Sequence, residues 1–130
     1  LGGNSLYAGE NDVSILYRYS QRHGRLHRNA PLPGDLVFFD NTTDLNRDGS
    51  YNDLLTHVGI VERIQNDGTI IFVHQIGPRP VRARMNLSQP QKVQDPKTGQ
   101  RLNHILRRGT KGAPPKTTAA LFAGFATISL

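Results

Sequence analysis

The chain has 130 residues, 36% of them hydrophobic and 20% charged, which suits one globular domain with a modest core. It contains no cysteine, so disulfides are excluded, and it has no apolar run of the 18 or so residues that would span a membrane. The net charge of +6 is uneven: six Arg face nine Asp and Glu up to residue 75, and ten Arg and Lys face Asp95 alone beyond it.

A basic half can meet nucleic acid, an anionic membrane surface or an acidic polymer such as bacterial cell wall, or it can simply be a solvated face. Nucleic acid is not expected. The only aromatics of the basic half, Phe122 and Phe125, lie beyond the charges, so no stacking platform interleaves with them. Met85 is the only methionine, so the chain is expected to be processed or to be a piece of something longer.

In chain order, ENDVSILYRYSQRH at 10–23 reads as a helix. Asn11 or Asp12 can cap it, Val13, Leu16, Tyr17 and Ser20 form one stripe, and Gly24 is a natural stop. Pro31, Pro33 and Gly34 make a turn that feeds a strand, LVFFD, at 36–40. After a polar loop at 41–55, a strand at 56–64 runs into Asn66, Asp67 and Gly68, a hairpin signal, and returns at 69–76. Pro78 and Pro80 flank an edge-like segment, and VRARMNL adds a short strand. Residues 88–101 read as a polar surface loop, and NHILRR at 103–108 as a short helix or strand. Residues 110–130 are a linker and an apolar tail expected to pack on the same domain. One helix followed by an antiparallel meander indicates an α+β fold.

His57 opens the second strand, and taken alone a histidine there is more often structural than catalytic. Its surroundings are P-G-D-L-V-F-F, a polar loop, T-H-V-G-I-V-E, a D-G turn and F-V-H. This combined pattern, over about residues 31 to 76, resembles the NlpC-type and CHAP-type papain-like cysteine hydrolases that cleave peptide or amide bonds in bacterial peptidoglycan. The resemblance implies a papain-like domain, of which residues 1–109 are the C-terminal, sheet-bearing part. It implies His57 as general base and a polar residue on the next strand, here His74, as its orienter. The physical logic agrees: a thiol nucleophile needs a base that titrates near neutral pH, and a second group to fix the ring's tautomer. Gly59 is expected to keep the strand surface low beside His57, so that a substrate backbone can lie close.

If Asp67 and Gly68 are the two turn residues, His74 faces Val61 and shares a sheet face with His57, roughly 13 Å along the strand. A three-residue turn would put His74 opposite Ile60 on the other face, which would leave Gln75 or a loop Asn as candidates.

The resemblance also implies a nucleophile in a D-C-S-G stretch at a helix N-terminus. Here D-V-S at 12–14 puts Val13 where the cysteine would stand. Either the thiol has been lost, or its helix lies upstream of Leu1. The second reading is favoured because ILYRY lacks the expected Gly. Ser14 is not expected to replace it, because a hydroxyl is far less acidic than a thiol.

The loop DLNRDGSYND places Asp44, Asn46 and Asp48 at alternate positions with Gly49 following. That is the first half of an EF-hand-type calcium loop, with the Ser50 carbonyl at position seven. Position twelve is Leu55 rather than a bidentate Glu, so Asn52 or Asp53 would substitute, and any structural calcium is expected to bind weakly; the alternative is a solvated acidic loop rich in turn formers. No cofactor is required. His23, His27 and His104 lack zinc-site spacing and are expected at the surface. Arg79, Arg82 and Arg84 are read as a strand's exposed face.

The reading is therefore a cell-wall peptide or amide hydrolase of the Cys–His type, lacking its Cys within this chain. It is expected to be monomeric, to act on peptidoglycan or another anionic wall polymer, and to work in the cell envelope or outside the cell. Two alternatives stand beside it: a catalytically dead wall-binding module of the same fold, and a lipid acyltransferase of related architecture.

Overall fold

The computed structural model describes residues 12–40, 42 and 55–128. The amphipathic stripe at the start forms helix α1 (Asp12–His23), and strand β1 (Gly24–His27) follows at once. Gly24 is needed for close approach rather than for a left-handed turn. A Cβ there would meet the Thr127 carbonyl oxygen at 2.5 Å.

The chain continues through β2 (Leu36–Phe39), β3 (His57–Ile64), β4 (Ile70–Ile76) and β5 (Arg79–Met85). A long polar stretch then leads to β6 (Ile105–Arg107), β7 (Lys116–Thr117), a 3-10 turn at Ala119–Leu121 and β8 (Phe122–Ile128). Six strands make one antiparallel sheet in the order β1-β8-β2-β3-β4-β5, and β6 and β7 pair separately. The apolar tail is thus an inner strand: β8 lies between β1 and β2. Pro80, which cannot donate to a ladder, sits in β5 at the sheet edge. The result is α+β, with the strands expected at 36–40, 56–64 and 69–76 present within a residue of those bounds.

The two faces of the sheet are covered differently. Val37 and Phe39 join Val61, Ile70, Phe72, Ala83, Met85, Leu121 and Phe125 in the main core, with Leu87, Leu106, Ala119 and Phe122 packed against it. Phe38 alternates to the other face, where Tyr17 of α1 meets it edge-on at 5.1 Å. Helix α1 packs on β1 and β8, at the opposite end of the sheet from β4 and β5.

The hairpin between β3 and β4 decides where the histidines go. Gly68 donates its N–H to the Gln65 carbonyl and Gln65 donates to that of Thr69, while Gly68 itself has φ +88°. The turn is therefore three residues long, Asn66 to Gly68, with glycine supplying the left-handed position. That replaces the expected two-residue turn, and by itself it would have put His74 on the wrong face. A second feature reverses it. The register shifts between Val61 and Arg63, so Glu62 is an extra residue bulged from β3, and His74 lies opposite Gly59. His57 and His74 then share a face after all, and they are diagonal neighbours rather than four residues apart.

Candidate active site

His57 is half-buried at the start of β3, and His74 is only 6% exposed on β4. Their rings meet edge-on with centroids 5.0 Å apart, and His57 Nε2 lies 2.8 Å from His74 Nδ1. The aromatic core forms the floor: Phe39 stacks towards His57 and Phe72 towards His74. Gly59 serves this packing and not a substrate. A Cβ there would meet Phe72 Cδ2 at 2.8 Å, so its expected role as an open approach for a substrate backbone is corrected.

The environment fixes the protonation of the pair. Burial lowers the pKa of His57, and burial together with His57 and His104 pushes that of His74 down to about 4. Both rings are neutral at pH 7. In a hydrogen bond between two neutral imidazoles one nitrogen carries the proton and the other accepts it. The pair is thus a donor–acceptor relay with one further nitrogen at each end.

The pair opens on a cavity of about 550 Å³ whose lining includes Gln75, Arg82, His104 and Arg108. His104 was expected at the surface, yet it is half-buried at this cavity. Its position comes from a buried polar network in the stretch after β5. Asn103 is fully buried; its Oδ1 accepts from the Asn86 N–H at 2.8 Å, and its Nδ2 donates to the carbonyls of Gln89 and Lys92. The backbone of His104 is then fastened to Arg84 and Thr118, and its Nδ1 accepts from the Arg84 N–H at 2.9 Å. No local sequence signal marks this, because it depends on a long loop folding back on β5.

His27 is the other departure from the expected surface placement. It is half-buried, with Nε2 2.9 Å from Thr127 Oγ1 and 3.2 Å from Asp35 Oδ2, and Nδ1 2.8 Å from the Asn29 carbonyl. Asp35, the aspartate of P-G-D-L, is 3% exposed and accepts from Thr127 Oγ1 and from the Leu32 N–H. His23 is exposed and stacks on Tyr19. Arg82 and Arg84 share the sheet face away from the main core, but strand alternation puts Arg79 on the other face, so the expected arginine row is broken. The guanidinium of Arg82 is held by both carboxylate oxygens of Glu62, at 2.8 and 3.0 Å.

The calcium candidates Asp44, Asn46, Asp48, Ser50, Asn52 and Asp53 lie outside the described residues. The base of their loop is described and is closed by hydrogen bonds. Leu55 N–H donates to Asp40 Oδ1 at 2.7 Å and Thr42 N–H to Thr56 Oγ1 at 2.8 Å. Among the described residues no group of three or more His, Asp or Glu could hold a metal ion, and no helix is long and apolar enough to cross a membrane. Val13 and Ser14 belong to α1, and no residue of α1 is among those lining the cavity of the histidine pair.

The family model for the CHAP domain matches residues 3–76, more than half of the chain, including α1 and both histidines. No curated protein and no solved structure matches it.

Proposed function

The chain belongs to the CHAP domain family, whose members are generally hydrolytic, of the amidase or peptidase type, and act on peptidoglycan, and on that premise we propose that it carries the acid–base half of a papain-like, Cys–His wall hydrolase. His57 is the general base and His74 orients it. The observation that carries this reading is the 2.8 Å contact between His57 Nε2 and His74 Nδ1 at the mouth of a cavity.

We assign the proton of that bond to His57 Nε2, which donates to the bare Nδ1 of His74. His57 Nδ1 is then the free lone pair. It takes the proton of a thiol as the sulfur attacks the scissile carbonyl, and the resulting imidazolium gives that proton to the leaving amine. Water then cleaves the thioester with the same ring as base. His74 fixes the tautomer and accepts a stronger hydrogen bond while His57 is charged. Because the chain has no cysteine, the thiol in this reading comes from outside residues 1–130. The site of action is the cell envelope or the medium outside it.

Long-range ¹⁵N–¹H NMR at pH 7 tests the assignment. The expected spectrum shows a protonated Nε2 and a bare Nδ1 on His57, both perturbed by soluble muropeptides. A His57 protonated at Nδ1, or histidine signals indifferent to muropeptides, contradicts the proposal. The chain alone should cleave nothing. Turnover on wall fragments that disappears in His57→Ala would instead restore Ser14 as a nucleophile and require α1 to move.

A further inference from the structure

The charge of the cavity is one-sided. Its ionisable lining residues are His57, His74, His104, Arg82 and Arg108, with no Asp or Glu among the described residues. Arg82 is committed to Glu62, whereas Arg108 is exposed at the cavity and has no carboxylate partner among the described residues. His104 already accepts at Nδ1 from the Arg84 N–H, so its neutral ring carries the proton at Nε2 and offers a donor. Its pKa is lowered by burial and then by Arg101 and Arg84, so further cations surround this wall. A concave, partly desolvated wall of one sign concentrates ligands of the other sign.

We propose that Arg108, with His104 beside the histidine pair, forms a carboxylate-binding subsite that selects acidic stem peptides of the wall. This rests on the reading of the chain as a wall hydrolase. A guanidinium matches a carboxylate with two parallel N–H donors, and the histidine adds a third. A cavity of about 550 Å³ takes a ligand of two or three residues, so a carboxylate held at Arg108 belongs to a residue close to the scissile bond. The subsite also gives the basic C-terminal half of the chain a role: it brings cations to the site from elements after β5, while the histidine pair comes from β3 and β4.

The test uses two synthetic probes, the tripeptide L-Ala–γ-D-Glu–L-Lys with free carboxylates and the same tripeptide with its carboxylates amidated. Their binding to the 130-residue chain is followed by calorimetry and by the histidine NMR signals. The acid form should bind about tenfold tighter, the factor expected of one charge-assisted pair. Arg108→Gln should remove that preference without altering the circular dichroism spectrum, because the side chain is exposed. His57→Gln should keep it. Equal binding of the two peptides, or a preference that survives Arg108→Gln, overturns the subsite and leaves the hydrolase reading standing. Failure of both peptides to bind overturns the subsite and the hydrolase reading together.

Discussion

Two half-buried histidines, His27 on the edge strand β1 and His57 on the inner strand β3, are solvated by the protein in opposite ways. His27 faces oxygen at both ring nitrogens: the Asn29 carbonyl on one side, Thr127 Oγ1 and the Asp35 carboxylate on the other. It ties β1 to β8 and to the turn before β2, and every polar atom of the cluster has a partner. His57 faces another histidine, in a cavity whose described lining has no carboxylate. The first arrangement holds a ring in place. The second leaves the ring neutral, with a nitrogen uncommitted among the described residues, which is what proton transfer requires. The difference lies in the partners, and the partners are set by strand order and register.

The largest effect should come from the clamp. Asp35→Ala strips partners from His27, Thr127 and the Leu32 N–H at once, and should cost about 3 kcal/mol by urea denaturation. His57→Ala removes a half-buried ring with one such contact and should cost about 1 kcal/mol. Equal losses would mean that the two clusters do the same work.

Deleting Glu62 should come next, and it should spare the histidine pair. Removing the extra residue closes the bulge while Arg63 stays opposite Ile71 and Val61 opposite Phe72, so His74 stays opposite Gly59 and the two rings keep their common face. The expected result is a folded chain that has lost the Glu62–Arg82 pair but keeps the His57 Nε2 proton signal and its response to muropeptides. Loss of that signal would show that the local twist of the bulge, and not the register alone, brings the rings together.

The third prediction concerns pH. His74 has a folded pKa of about 4 against an unfolded value near 6.5, and His57 and His104 are displaced the same way. The unfolded chain therefore binds more protons between those limits. The stability these rings contribute is full above about pH 6.5 and is lost as the pH falls towards 4. Melting temperatures from pH 7 to pH 4.5 should fall, and His74→Asn should flatten the slope. An unchanged slope would show that His74 is not held neutral by its surroundings.

Calcium should give the smallest shift. The segment 44–53 lies between β2 and β3 in the chain, and its sequence lacks the bidentate acid at Leu55. Calcium near its dissociation constant would add only about 0.4 kcal/mol, read as a slight rise in melting temperature that Asp48→Ala removes. No change in the unsubstituted chain would make the loop a solvated turn.

The α1 stripe, the three strands of the meander and the hairpin were legible because each rests on local physics: amphipathic period, alternation, and a glycine where φ must be positive. The histidine at the strand mouth was legible for the same reason. The face of His74 was not. It follows from the turn length and the bulge together, two one-residue shifts that cancel in parity but halve the distance along the strand. Nor did the sequence mark where the tail goes. FAGFATI has strand composition, but its place between β1 and β2 is set by the Phe38 and Phe125 faces it must fill and by the close approach that Gly24 permits. His27 and Asp35 are adjacent only because that strand is there, and His104 and Arg108 reach the cavity only because Asn103 pins the long loop. Residue type and local period thus determined which elements form and which side chains can carry chemistry. Only the tertiary structure decided which of them meet, because side-chain contact across a sheet depends on register and strand order, and neither is encoded within any one segment.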